Sequence, residues 1–289
     1  MGELKKSITK EFMSSLEGIN LFLSGRMNNT ALSGMRKSHA KGSSLEFSDF
    51  REYTLGDDIR RIDWNSYARF DKLFMKIFEE EKQADINIFI DISNSMGKEF
   101  NKSVFSKQIA IAIAYIALKN TDKVNIFTFS DGINYKMLKI SSISKFHEII
   151  DFLDNVDNNG VTYVLKSVKE AFQYINGKGV SYIISDFFSN DGYAEGLGFM
   201  LYKKQNISCI HTLSNFDIKP DIYGNVRLID SENSNKYTDI FISPLIIENY
   251  KKELSQFKNK FSEFCTKKGI KYTYAYTEDS ISKIVLKAL

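Results

Sequence analysis

A chain of 289 residues, 43% hydrophobic and 26% charged, has room for one large α/β domain or for a medium domain with a smaller companion, and its composition is that of a globular protein with a full core. A formal net charge of +3 is too mild to argue for nucleic-acid binding, and the presence of only two prolines excludes a proline-rich linker. The longest apolar run, Ile109 to Leu118, is about half of a membrane span, and the N-terminus carries acids and lacks the apolar core of a signal peptide, so a cytoplasmic protein without an integral membrane span is expected.

Leu4, Ile8, Phe12, Leu16 and Ile19 recur every three or four residues, which predicts an amphipathic helix over the first two dozen residues. Arg26 to Ser44 is polar and basic, with Arg26, Arg36, Lys37, Lys41 and two glycines, Gly34 and Gly42, and reads as a solvated loop. Ser44 to Arg69 is dense in charged and aromatic residues: Glu46, Asp49, Arg51, Glu52, Asp57, Asp58, Arg60, Arg61, Asp63 and Arg69 surround Phe47, Phe50, Tyr53 and Trp64. Arginine forks bind carboxylates bidentately and stack on rings, so a partly buried ion-pair network is predicted here. It serves either as a clamp holding the N-terminal segment on the main domain or as a docking face, with Asp57, Asp58, Arg60, Arg61, Asp63, Trp64 and Arg69 as candidate partner-binding residues. The stretch holds no histidine to act near neutral pH, which argues against catalysis in it.

Leu73 to Phe78 reads as a strand, and Glu79 to Asp85 as a charged exit from it. Ile86 to Gly97, reading INIFIDISNSMG, is the stretch that organises the rest. Ile86, Ile88, Phe89 and Ile90 mark a strand buried on both faces of a parallel sheet, and the run stops at Asp91. A predicted helix from Asn101 to Lys119 follows, apolar almost all round between Val104 and Leu118. Val124 to Phe129 is a second buried strand, and Ser130, Asp131 and Gly132 turn it into an antiparallel edge strand, Ile133 to Leu138. Helices at Ile143 to Leu153 and Tyr163 to Ile175 flank a polar loop, Asp157 to Thr162. Val180 to Ser185 is a third buried strand and also ends in an aspartate, Asp186. A helix (Tyr193 to Lys204), a strand (Ile207 to Leu213), a hairpin appended to the sheet (Asn225 to Ile229 and Tyr237 to Ile242), a long helix (Pro244 to Lys268), a last strand (Ile270 to Tyr276) and a closing helix complete the chain. Cys209 and Cys265 read as free buried thiols; Cys209 and His211 share a strand face, which formally allows a Cys/His dyad, but the strand is apolar and no orienting group stands out.

Alternating strands and helices predict a doubly wound α/β domain with a mostly parallel sheet, of Rossmann type, in which ligands sit beyond the carboxyl ends of strands where the strand order reverses. Asp91, Ser93 and Ser95 gather small oxygen ligands at one such end. If the strand ending at Asp186 lies alongside, the two aspartates converge, and Thr162 adds a third hydroxyl from an adjoining loop. A donor set of carboxylates and hydroxyls suits a hard cation such as Mg2+.

Asp91-x-Ser93-x-Ser95, Gly160-x-Thr162 and Asp186 after an apolar strand resemble the metal-ion-dependent adhesion site (MIDAS) of von Willebrand factor A domains. Leu45-Glu46-Phe47, Arg51-Glu52-Tyr53, the run from Gly56 to Trp64 and Ala68-Arg69 resemble the signature of the bacterial family DUF58, which joins such a segment to a von Willebrand A-like domain. The resemblance implies residues 1–84 as a helix plus signature segment on a von Willebrand A-like domain at 85–289. It also implies a Mg2+ held by Asp91, Ser93, Ser95, Thr162 and Asp186, a shell completed by a partner's acidic residue, and an AAA+ ATPase of the MoxR type as that partner. The expectation is therefore a non-enzymatic, metal-dependent protein-interaction module. The alternatives are a Mg2+-dependent hydrolase or phosphotransferase using Asp91 as nucleophile, a nucleic-acid binder using the basic loop, and an unoccupied polar turn network. The enzyme reading is disfavoured because a serine stands at 93 where aspartyl-phosphate enzymes carry a second aspartate.

Overall fold

The computed structural model of the chain describes residues 2–26, 37–38, 45–81, 83–97, 101–229 and 237–289. The chain divides into two units, one of residues 1–21 and 85–289 and one of residues 22–84. It enters through two helices, α1 (Glu3–Ser7) and α2 (Lys10–Arg26), where the periodicity predicts one. The break has a local cause: the Thr9 hydroxyl accepts from the Phe12 amide at 3.1 Å and caps the start of α2. Leu4, Leu16 and Ile19 are buried, and the Gly2 amide donates to the Asp154 carboxylate at 3.1 Å, so α1 and the first part of α2, up to Leu21, group with the sheet-bearing unit. The predicted basic loop lies outside the described residues, apart from Arg26 at the end of α2 and the short strand β1 (Lys37–Ser38).

The unit of residues 22–84 is built on a three-stranded antiparallel sheet of β1, β2 (Leu45–Glu52) and β3 (Phe74–Glu81), with β3 in the middle. A short helix, α3 (Trp64–Phe70), lies between β2 and β3 in the chain. Ile62 and Met75, joined by an isolated bridge, are buried apolar residues of this unit.

In the larger unit β4 (Asp85–Asp91) leads through α4 (Lys102–Lys119) to β5 (Lys123–Ser130) and the hairpin strand β6 (Gly132–Ile140). Next come α5 (Phe146–Asp154), α6 (Val164–Ala171), β7 (Gly179–Ser185), α7 (Tyr193–Tyr202) and β8 (Gln205–Leu213). The chain ends with α8 (Asn215–Ile218), β9 (Gly224–Ile229), β10 (Tyr237–Ile242), α9 (Pro244–Lys268), β11 (Lys271–Tyr276) and α10 (Ile281–Ala288). The sheet has six strands in the order β11-β8-β7-β4-β5-β6, parallel throughout except that β6 runs against β5. It is a doubly wound, mostly parallel sheet. Because β5 lies on one side of β4 and β7 on the other, the strand order reverses at β4.

β4 is buried along nearly its whole length, as a strand covered on both faces must be. α4 is buried almost all round because it packs on the sheet and also against α1, α5 and α10. On the other face, Phe89 stacks on Phe127 at 5.1 Å, and Phe187, Tyr193 and Phe261 extend the same core toward α9. Among the described residues no helix is long and apolar enough to cross a membrane.

The hairpin departs from expectation. β9 and β10 pair only with each other as a separate two-stranded sheet, with Ile229 opposite Tyr237. A bidentate Arg227–Asp239 ion pair at 2.7 and 2.8 Å and the Arg227 guanidinium over the Tyr237 ring brace it locally, while Ile229 and Phe241 stay exposed. The residues of its turn, 230–236, lie outside the described set.

On β8, Cys209 and His211 each find another partner. Cys209 sits beside Cys265 of α9, both free, and burial pushes its thiol well up. His211 Nδ1 lies 2.6 Å from the Tyr272 hydroxyl. Burial, and after it the charges of Lys258 and Lys102, push the His211 imidazole down to about 3, while Asp217 and the Asp186 backbone pull the other way. The unfolded chain therefore binds a proton at His211 between its ordinary value and about pH 3 that the folded chain does not. Proton uptake by the unfolded chain costs the fold nothing above about pH 6.5 and about 1.4 kcal/mol per pH unit below it. In urea unfolding from pH 7.5 to 4, the wild type should lose about 1.4 kcal/mol per pH unit more than His211→Gln below about pH 6.5; equal pH dependence in the two would rule out a contribution from His211.

Candidate functional site

The loop after β4 is tied down by its backbone. The Ile92 amide donates to the Phe129 carbonyl at 2.8 Å, the Ile92 carbonyl accepts from Asn159 at 2.7 Å, and the Asn94 amide donates to the Gly160 carbonyl at 3.0 Å. These bonds draw the loop bearing Asp91, Ser93 and Ser95 against the loop bearing Thr162. Glycine is required at 160, where φ is +84° and a Cβ would stand 2.9 Å from the Ser130 hydroxyl oxygen.

Asp91, 1% exposed, is the focus. Its Oδ1 accepts from the Ser93 amide at 2.9 Å, and its Oδ2 accepts from the Ser185 hydroxyl at 2.6 Å and the Thr162 hydroxyl at 3.1 Å. The Ser93 and Ser95 hydroxyls lie 3.0 Å apart. Ile90 pairs with Ile184, so β7 delivers Asp186 alongside Asp91. Burial first, and then the negative charge of Asp186, raise the Asp91 carboxyl to about 6, against the hydrogen bonds from Ser185 and Ser93. The two aspartates therefore share one buried electrostatic environment.

Asp186 is held by a turn that few side chains adopt. Phe187 has φ +59°, a left-handed conformation rare for a bulky residue, and its ring is buried 4.5 Å from that of Phe261. The Phe187 amide donates to Ser185 Oγ at 2.9 Å and the Phe188 amide to Asp186 Oδ1 at 3.3 Å. The Lys102 ammonium lies 3.3 Å from Asp186 Oδ2 and 3.2 Å from Asp217 Oδ2.

Sequence reading missed Ser185, Lys102 and Asp217. Nothing in a single sequence shows that the Ser185 hydroxyl turns toward a neighbouring strand. Lys102 left a signal, a cation in the first turn of a helix, where the macrodipole disfavours it. Among the described residues no group of three or more His, Cys, Asp or Glu side chains is placed to hold a metal ion. The donors gathered at Asp91 are instead carboxylates supplemented by hydroxyls, and that hard-oxygen set fits Mg2+ rather than a softer metal.

In the signature segment the ion pairs are partly buried at Asp57 and Asp63 and otherwise exposed. Arg51 pairs with Asp57 at 2.6 Å, and the Thr54 amide and hydroxyl donate to the same carboxylate at 2.9 and 2.8 Å. Together they hold Asp57 far below the usual carboxylate range. Arg60 pairs with Asp58 at 3.2 Å, and Asp63 accepts from Lys76 at 3.0 Å and from the Ser66 hydroxyl at 2.6 Å. Of the predicted partner-binding residues only Asp63 is buried; Arg61 and Arg69 are exposed and Trp64 is 61% exposed, its ring edge-on to Tyr67. The pairs are local, within a few residues or across β3, so they tie the loop to itself instead of closing a core over the indole.

A family model described as "Protein of unknown function DUF58" matches residues 49–258. The uncharacterized protein MJ0077 of Methanocaldococcus jannaschii is 30% identical over 132 residues, 45% of this chain and 32% of that protein, so the match spans less than a third of the relative's length. Among solved structures, the conserved hypothetical protein BatB from Bacteroides thetaiotaomicron aligns with 16% identity and a TM-score of 0.46, covering 71% of this chain and 96% of that one. An aerotolerance-related membrane protein from Bacteroides fragilis NCTC 9343, carrying multiple mutations to serines, aligns with 14% identity and a TM-score of 0.43, with the same shares covered.

Replacing Ser185 should unsettle the site without touching a proposed ligand. Ser185→Ala removes a donor to buried Asp91 and orphans the Phe187 amide, which should lower unfolding free energy by about 1–3 kcal/mol in urea titrations at pH 7.5. A loss under about 0.5 kcal/mol, the level of an ordinary surface change, would mean that these bonds contribute little.

Proposed function

Since the chain belongs to the DUF58 family, we propose that it works as a non-enzymatic, metal-dependent protein-interaction module whose site is the carboxyl edge of β4. The observation that carries this reading is the meeting of the Asp91, Ser93 and Thr162 side chains in one buried hydrogen-bonded cluster, with Ser95 and Asp186 at its border. Asp91, Ser93, Ser95, Thr162 and Asp186 would hold Mg2+. When bound, the ion supplies a hard electrophile that a partner's aspartate or glutamate can ligate. The chain's own groups do the rest: the Ser93 amide and the Ser185 hydroxyl fix the orientation of Asp91, and the turn at Phe187 fixes that of Asp186. Donors to Asp91 are hydroxyls and an amide, groups that orient a carboxylate and do not shuttle protons near neutral pH, which favours binding over turnover.

The partner in this reading is an AAA+ ATPase of the MoxR type, met in the cytoplasm, the class implied by resemblance to MIDAS-bearing DUF58 proteins. The signature segment is read as a second docking face, since Leu55, Ile59, Trp64 and Phe70 are exposed beside Arg61 and Arg69, a surface suited to an acidic partner with apolar anchors.

Two measurements test the reading. At Mg2+ a hundredfold above its Kd the wild type should gain about 2.7 kcal/mol of stability, seen as a raised Tm, and Asp91→Ala should show no gain. An equal gain in both would remove the site. In pull-downs from native lysate, Trp64→Ala with Arg69→Ala should lose the ATPase while unfolding free energy stays within about 0.5 kcal/mol of wild type. Undiminished recovery would leave the segment without a docking role.

A further inference from the structure

Lys102 is the charged group at the site that the proposed function does not use. It is the first residue of α4, preceded by Asn101 in the left-handed conformation at φ +60°. A cation there faces the positive end of the helix dipole and is 4% exposed, two costs that surface lysines avoid. What offsets them is a pair of carboxylates. Its Nζ bridges Asp186 at 3.3 Å and Asp217 at 3.2 Å, the latter held in place because Asp217 forms the capping box of α8 with Ser214.

We propose that Lys102 is the resident counter-cation of this site, holding Asp186 in the metal-free protein and competing with a divalent ion for it. The proposal rests on the metal-binding reading of Asp91 and its neighbours and adds what sets the affinity. Phe188 donates to Asp186 Oδ1 and the Lys102 ammonium pairs with Oδ2, so a divalent ion approaching Asp186 meets a unit positive charge already on that carboxylate. Asp217 gives it a place to stay: the ammonium can keep its contact with that carboxylate while releasing Asp186. The site is thereby stable without metal and binds it weakly enough for exchange, and a partner's carboxylate arriving with the ion adds back negative charge near the lysine.

The test is isothermal titration of the full chain with MgCl2. Lys102→Gln, which removes the charge and keeps a hydrogen-bond donor, should lower the Mg2+ dissociation constant about tenfold or more, because a unit positive charge no longer opposes the ion at short range. Lys102→Arg should stay within about threefold of wild type, since it keeps the charge. Equal affinities for wild type and Lys102→Gln would overturn the role of Lys102 and leave the metal site standing. Absence of Mg2+ binding in both would overturn the metal site and this proposal with it. Should Lys102→Gln fail to fold, the wild type answers by NMR of lysine Cε and Nζ: the Lys102 signals should move on Mg2+ titration in parallel with saturation, and static signals in a protein that binds Mg2+ would overturn the proposal.

Discussion

Two carboxylates buried side by side at the end of the central strands are the constraint around which the larger unit is arranged. Burial, and after it the negative charge of Asp186, push the Asp91 carboxyl up. The fold answers with donors instead of distance. Ser93, Thr162 and Ser185 converge on Asp91, and Lys102 and the Phe188 amide on Asp186. Such a cluster is costly unless its members are satisfied, which explains why they come from so many segments.

The sheet makes that convergence possible. Only where the strand order reverses do the loops after neighbouring strands diverge to opposite faces and leave a crevice. β4 occupies that position, with β7 in register beside it. The local geometry then pays twice in strained backbone, at Phe187 and at Asn101, and both residues stand next to a charged group of the site. Phe187 is kept there by its ring, wedged against Phe261 in the core, so packing remote from the site helps decide where Asp186 stands.

The signature segment obeys a different logic. Its ion pairs are short-range and mostly exposed, and pairs of that kind contribute little to stability in high dielectric. They shape a loop and present Trp64, Phe70 and Ile59 outward, a use of large apolar residues that folding alone does not call for. The β9–β10 hairpin shares that character, braced by one bidentate pair and carrying apolar side chains on its surface.

Local pattern was enough to read the alternation of strands and helices, the burial of β4 and α4, and the placement of Asp91, Ser93 and Ser95 where an apolar strand stops. Those features follow from periodicity and from the residue types at one turn, and both are written in contiguous sequence. The three-dimensional arrangement alone decided that Ser185 faces Asp91 across the sheet, that Lys102 reaches Asp186 and Asp217, that Trp64 stands in solvent, and that the hairpin forms its own sheet. Each of these depends on which distant segment lies alongside. A charge or a hydroxyl has the same letter whether it faces water or a buried carboxylate, and only the packing of residues far apart in the chain chooses between them.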